Sequence, residues 1–316
     1  MIAGLILAAA MAAAPVAPPV AEPDWKLVWS DEFGSSRIDR RKWDFDVDCA
    51  GGGNEERQCY TARRSNASVG GGYLSITARR ETWHGPAQMH GQPGSTGGAK
   101  EATKSFTSAR LVTRGKASWR YGRVEVRARL PLGQGSWPAI WMLPEKWRYG
   151  SWPRSGEIDI MEAVNLGTPC VKCAGGRENH VLGTIHFGDH PPANKYLSTE
   201  VELSGAIDGF HTYRVDWSPE RIAWSVDGRP YVERLLGEWS TPTSTDPHAP
   251  FDQPFHLILN LAIGGHLPEG RNLGGVSLSG FPRSMQVDWV RVWQRQDELA
   301  SPDRSKGAEW DGVAKR

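Results

Sequence analysis

The sequence predicts an all-β chain folded as a two-sheet antiparallel sandwich. Three observations carry this. Apolar residues recur at every second position in several short runs, the period of a half-buried strand. Gly, Pro and Asn punctuate those runs, with 36 Gly and 22 Pro in 316 residues, as short strands joined by turns require. No stretch sustains a 3.6-residue apolar period long enough for a major helix, and no internal repeat is visible.

From the N-terminus, Ile2 to Ala14 forms an apolar run followed by small and Pro-rich residues as far as Pro23. Residues 1–23 therefore read as an export signal and leader, although no Lys or Arg precedes the run. The run is shorter than the roughly 20 residues a membrane-spanning helix needs. A secreted or periplasmic protein with no membrane partner is expected. One folded domain is expected over residues 24–296, with 297–316 a polar tail. A chain of this length buries a sizeable core, and a monomer is expected. The net charge of +1 gives no reason to expect a nucleic acid or another charged polymer as partner.

Within the domain, Leu74, Ile76 and Ala78 share one strand face. Val124, Val126 and Ala128 alternate with Arg123, Glu125, Arg127 and Arg129. Ile222, Trp224 and Val226 lead into Asp227-Gly228, a hairpin turn signal, with Tyr231-Val232 as the return strand. Phe255, Leu257, Leu259, Leu261 and Ile263 share a face, leaving His256, Asn260 and Ala262 on the other. A strand with one core face and one mixed polar face suits a sheet whose second side lines a groove. Residues 82–104, with Trp83, His84 and His90, show no strand pattern and read as a mobile loop near that groove. Residues 166–180 read as a second inserted loop.

Four Cys fit an oxidising compartment. Disulfides 49–59 and 170–173 are expected, although four Cys allow three connectivities. Cys170-x-x-Cys173 could also mark a redox or zinc site, but it has neither a βαβ context nor a second CxxC. Fifteen Trp exceed what a core of this size needs. The surplus fits a cleft where indoles stack on sugar rings.

The chemistry is concentrated in Gly156-Glu157-Ile158-Asp159-Ile160-Met161-Glu162. Glu157 and Asp159 share a strand face, while Glu162 has the wrong parity. A β-bulge absorbing one residue, most naturally Met161, would return Glu162 to its partners. Retaining glycosidases use a nucleophilic carboxylate and an acid/base carboxyl roughly 5–5.5 Å apart. Asp159 between them can orient Glu157, and its charge can help keep Glu162 protonated. The alternatives are an edge strand of solvated acids or a hard-cation site.

The surrounding segments include Tyr121-Gly122-Arg123-Val124-Glu125-Val126, Gly133-Gln134-Gly135-Ser136-Trp137-Pro138-Ala139-Ile140-Trp141 and Gly183-Thr184-Ile185-His186-Phe187-Gly188. To these add Asn54-Glu55-Glu56-Arg57-Gln58-Cys59-Tyr60-Thr61, Asp216-Trp217-Ser218-Pro219 and Val287-Asp288-Trp289-Val290-Arg291-Val292. Together, over about residues 25–295, the chain resembles glycoside hydrolase family 16, in its bulge-containing, laminarinase-like branch of endo-β-1,3-glucanases. The resemblance implies a β-jelly roll with a cleft across its concave sheet. It implies Glu157 as nucleophile, Glu162 as acid/base and Asp159 assisting.

It further implies Trp137, Trp141 and Trp152 near the scissile bond, with a core position the alternative for Trp141. Arg110, Asn54 and Glu56 would bind sugars on the non-reducing side. Glu55 stands where the family usually carries a second Asn, so that contact departs from the pattern. His186 would lie near the acid/base, or be a structural His; Asn260 faces the groove. No cofactor is required, but a structural calcium is a family feature, and Asp288 with backbone oxygens near Glu32 and Gly72 would hold it. The expected substrate is a β-1,3-glucan. Mixed-linkage β-1,3-1,4-glucan, galactans, transglycosylation and a non-catalytic β-glucan-binding role are the alternatives.

Overall fold

The computed structural model describes residues 24–90 and 100–296. In chain order the strands begin with β1 (Trp25–Asp31), β2 (Asp44–Asp46), β3 (Gln58–Tyr60), β4 (Ala67–Gly70), β5 (Tyr73–Pro86) and β6 (Glu101–Ser108). Next come β7 (Arg110–Val112), β8 (Gly122–Arg129), β9 (Ser136–Pro144), β10 (Glu157–Glu162), β11 (His180–Gly188) and β12 (Asn194–Glu202). The last are β13 (Phe210–Trp217), β14 (Arg221–Val226), β15 (Arg229–Leu235), β16 (Phe255–Ile263) and β17 (Arg283–Arg295). Helix among the described residues is confined to α1 (His266–Glu269) and one 3-10 turn at Ala174–Gly176.

Two sheets result. The seven-stranded sheet runs β12-β11-β10-β9-β16-β7-β2. The ten-stranded sheet runs β15-β14-β13-β8-β17-β5-β6-β3, with β1 added on β17 and β4 on β5. All ladders are antiparallel except β3 with β6, which is parallel. Between the sheets lies the main core. Phe255, Leu257, Leu259, Leu261 and Ile263 of β16 meet Val124, Val126 and Ala128 of β8 there, with Val287, Val290 and Val292 of β17. The alternation read in the sequence thus selects the buried face of each strand. Asp227 and Gly228 both take positive φ, 49° and 73°, the two-residue hairpin geometry that joins β14 to β15.

Both expected disulfides are present, Cys49–Cys59 and Cys170–Cys173. Paired in this way, Cys170 and Cys173 offer no thiolate to zinc. Residues 166–180 remain a loop around that bridge. The other expected loop is not one throughout: residues 82–86 continue β5 and 101–104 belong to β6, while 91–99 lie outside the described residues. Neither face of this two-stranded arm is deeply buried, so side-chain patterning could not reveal it. Its ladder pairs Trp83 with Lys104 and His84 with Thr103.

On the outer sheet the Asp288 carboxylate is ion-paired with Arg127. Glu32 accepts two hydrogen bonds from Arg291, at 2.9 and 2.8 Å. Gly72 sits in the β4–β5 turn at φ 84°. A guanidinium in contact with a carboxylate repels a divalent ion. With Arg127 on its carboxylate, Asp288 does not fit the role of a calcium ligand.

Candidate active site

The site is built around an irregularity in β10. Along β9, Asp159 pairs with Trp141 and Met161 with Ile140, so Ile160 has no partner. Along β11, Asp159 pairs with Thr184 and Glu162 with Leu182, leaving Gly183 opposite both Ile160 and Met161. The bulge expected at Met161 is therefore shared by Ile160 and Met161. Both are buried in the core, and Glu162 returns to the face of Glu157 and Asp159. Trp224, reaching across the core from β14, donates its indole N–H to the Asp159 carbonyl oxygen at 2.8 Å. Gly183 makes room for it. A Cβ there would stand 2.7 Å from the Trp224 ring and 2.4 Å from the Tyr231 hydroxyl.

Glu157, Asp159 and Glu162 all line one trough of about 730 Å³ on the concave sheet. Trp152 Nε1 donates to Glu157 Oε2 at 2.9 Å, and Trp137 Nε1 donates to Glu162 Oε1 at 2.9 Å. His186, directly opposite Glu157 in the β10–β11 ladder, places Nε2 at 3.3 Å from Asp159 Oδ2 and 3.8 Å from Glu157 Oε1. Its nearest acidic contacts are thus Asp159 and Glu157, and its charge also acts on Glu162.

Burial pushes Glu157 up to about 8, and the Asp159 charge adds to this, while His186 and the Trp152 indole oppose it. Burial, then the charge of Glu162, holds Asp159 well above the carboxylate range; its hydrogen bond with Glu157 works the other way. Burial also raises Glu162, against His186 and the Trp137 indole. Three carboxyls in one poorly solvated trough cannot all ionise, so the set keeps protons near neutral pH. The His186 imidazole and the Trp152 indole N–H are the groups that favour the Glu157 anion.

One wall of the trough is a hydrogen-bonded network centred on Glu56, which is 4% exposed. Its carboxylate accepts from Gln58 Nε2 at 2.6 Å, Tyr60 Oη at 3.2 Å and Asn54 Nδ2 at 3.4 Å. Asn260 Nδ2 donates to Tyr60 Oη at 3.0 Å, and Trp141 Nε1 donates to Asn260 Oδ1 at 2.6 Å. The Arg110 guanidinium lies 4.6 Å from the Tyr60 ring centroid and 5.4 Å from that of Trp141. Asn54, Glu56, Arg110, Trp137, Trp141, Trp152, His186 and Asn260 all line the trough. Trp141 is thus on the cleft face and not in the core. Glu55 is exposed at φ 60° and is not part of the lining. Asp288, Glu32 and Gly72 lie on the other sheet and are not brought to the site.

The opposite wall went unnoticed in the sequence. Tyr196, Ser198 and Glu200 of β12, with Arg271 beyond α1, line it. They extend three ladder rows outward from the acids: Glu157–His186–Tyr196, Asp159–Thr184–Ser198 and Glu162–Leu182–Glu200. Arg271 pairs with Glu200 at 2.7 Å, and its charge works against the burial of Glu162. The polar alternation Asn194-x-Tyr196-x-Ser198-x-Glu200 was the available signal.

A carboxyl kept protonated beside one that can ionise is the equipment of glycosyl transfer. Fold and site together define a glycoside hydrolase. The profile of the glycosyl hydrolases family 16 matches residues 60–291, and the chain belongs to that family. It is 45% identical over 278 residues to a beta-glucanase of Rhodothermus marinus, covering 86% of each chain. It is 38% identical over 275 residues to a glucan endo-1,3-beta-glucosidase of Cryptopygus antarcticus, covering 85% of this chain and 92% of that one. Among solved structures, the laminarinase from Rhodothermus marinus superposes with a TM-score of 0.69 at 44% identity, over 86% of this chain and 98% of that one.

Proposed function

We propose that the protein is a secreted, retaining endo-β-1,3-glucanase acting by double displacement. The observation that carries this is the bulge in β10, which sets Glu157 and Glu162 on one trough floor with a separate indole donor for each. Glu157 attacks the anomeric carbon while Glu162 gives its proton to the departing glycosidic oxygen. A covalent glycosyl-enzyme forms. Glu162, now a carboxylate, takes a proton from water, whose oxygen displaces Glu157 and restores the original configuration.

Asp159 and His186 stand beside Glu157 and position it. The trough is lined from β7 across β16, β9, β10 and β11 to β12. Five inter-strand spacings make it about 24 Å across, room for several sugar units on both sides of the acids, as cleavage within a chain requires. The β-1,3 linkage is supported by what the relatives are named for. Two disulfides support export.

The test is purified protein against laminarin, barley glucan, agarose and carrageenan, with products sized by chromatography and the first anomer read by NMR. Mixed-length products from laminarin with retained anomeric configuration are expected. An inverted first product, release of monosaccharide alone, or turnover of galactans only would overturn the proposal.

A further inference from the structure

Beside the catalytic trough lies a second cavity of about 520 Å³, walled by Asn194, Lys195, Tyr196, Glu238, Trp239 and Ser240. Asn194 and Tyr196 line both spaces, so the trough continues into the cavity around the edge strand β12. Tyr196 occupies the junction. It is 63% exposed, and no other described Trp, Tyr or Phe is as exposed. Leaving so large a ring in water costs solvation unless something covers it.

The ring also ends a continuous aromatic file. Trp152, which holds Glu157, has its centroid 5.8 Å from His186, and His186 is 5.8 Å from Tyr196. Register places Glu157, His186 and Tyr196 directly opposite one another on three adjacent strands. Tyr196 is thus two strand spacings from the nucleophile, about 10 Å, beyond the sugar at the reaction centre. Past it the cavity offers an amide, an ammonium, a carboxylate and a hydroxyl of offsetting charge. Trp239 adds a buried indole whose Nε1 has no hydrogen-bond partner. A flat ring ringed by mixed donors and acceptors suits a neutral pyranose and not an anion.

We propose that this cavity is an outer sugar subsite, occupied by a distant unit of the same glucan chain whose bond is being cut, with Tyr196 as its stacking platform. The inference rests on the β-1,3-glucanase reading and adds chain-length preference to it. Because Tyr196 and Ser240 are both exposed, their substitution leaves the core intact.

The experiment measures kcat/KM on β-1,3-gluco-oligosaccharides of increasing length and on laminarin. It compares the parent with Tyr196→Ala, Tyr196→Phe and Ser240→Leu, the last partly filling the cavity. For Tyr196→Ala, a loss of about tenfold, equivalent to about 1.4 kcal/mol, is expected on laminarin and the longest oligosaccharides. A much smaller loss is expected on the shortest one cleaved. Ser240→Leu should show the same length dependence, and Tyr196→Phe should keep most of the parent's gain with length. Equal losses at every length, no loss at any length, or a Ser240→Leu variant that keeps the parent's whole gain with length would overturn the subsite while leaving the glucanase reading intact. Failure of the parent itself to cut any β-1,3-glucan would overturn that reading, and the glucan subsite with it.

Discussion

Replacing Trp152 by Phe and, separately, Trp137 by Phe should move opposite limbs of the pH–rate profile. Each change deletes one indole N–H, at 2.9 Å from Glu157 Oε2 and from Glu162 Oε1 respectively, while keeping an aromatic ring. Each bond favours the ionised carboxyl, so its loss raises the pKa of the group it held. A hydrogen bond to a charged group is worth about 1.5–3 kcal/mol, and one pKa unit is about 1.4 kcal/mol. The Glu157 side chain is 14% exposed, so water replaces part of the loss and a shift of about 1 unit is expected. The proposed mechanism needs Glu157 ionised, so Trp152→Phe moves the acidic limb of kcat/KM upward. It needs Glu162 protonated, so Trp137→Phe moves the alkaline limb upward. The assay is kcat/KM from about pH 4 to pH 10 on one soluble substrate. If both variants shift the same limb, or the limbs are exchanged, the assignment of nucleophile and acid to these residues is wrong.

Four further outcomes are expected. Glu157 has a folded pKa of about 8 against 4.5 for the free carboxyl, so its contribution to stability is present below the unfolded value and is lost as pH rises towards 8. The slope is about 1.4 kcal/mol per pH unit, so the gain in melting temperature of Glu157→Gln over the parent should grow from pH 5 to pH 8; a constant difference would contradict the buried, protonated state. Glu162→Ala should regain part of its rate with azide or formate on substrates with good leaving groups, and no recovery would count against its acid/base role. Gly183→Ala should lower stability by about 1–3 kcal/mol, as overpacking does, since its Cβ meets Trp224 and Tyr231; unchanged denaturation would show that the bulge is not packed in this way. Millimolar calcium should raise the melting temperature of Arg127→Gln more than that of the parent, because only the variant frees Asp288; equal responses would place any calcium elsewhere.

The elements whose burial follows simple parity were legible in the sequence. β8, β14 and β16 each turn alternate apolar residues to the core, so alternation reports them, and the Asp227-Gly228 turn shows in its residue types. The bulge could be deduced because three acids had to share a face, but its division between Ile160 and Met161 depends on two neighbouring strands at once. The outer parts of β5 and β6, residues 82–86 and 101–104, were missed because one face of that ribbon is exposed and the other only half-buried, by residues that are not apolar in alternation. Tyr196, Glu200 and Arg271 reach the trough through strand order and a distant loop, which no local window contains. Glu55 departs from its expected role for a local reason. Its φ of 60° turns the side chain out of the lining, and a position's rank in a motif does not report its backbone twist.

The swelling in β10 also makes the spacing of the acids a ruler for strand geometry. In a perfectly regular ladder the third acid would keep parity only at an even offset from the first, the place now held by Met161. Whoever transplants this trio to another scaffold must therefore carry the surplus residue, the vacant Cβ across from it and the indole from the facing layer as one cassette. Moved without them, the third carboxyl would be turned into oil.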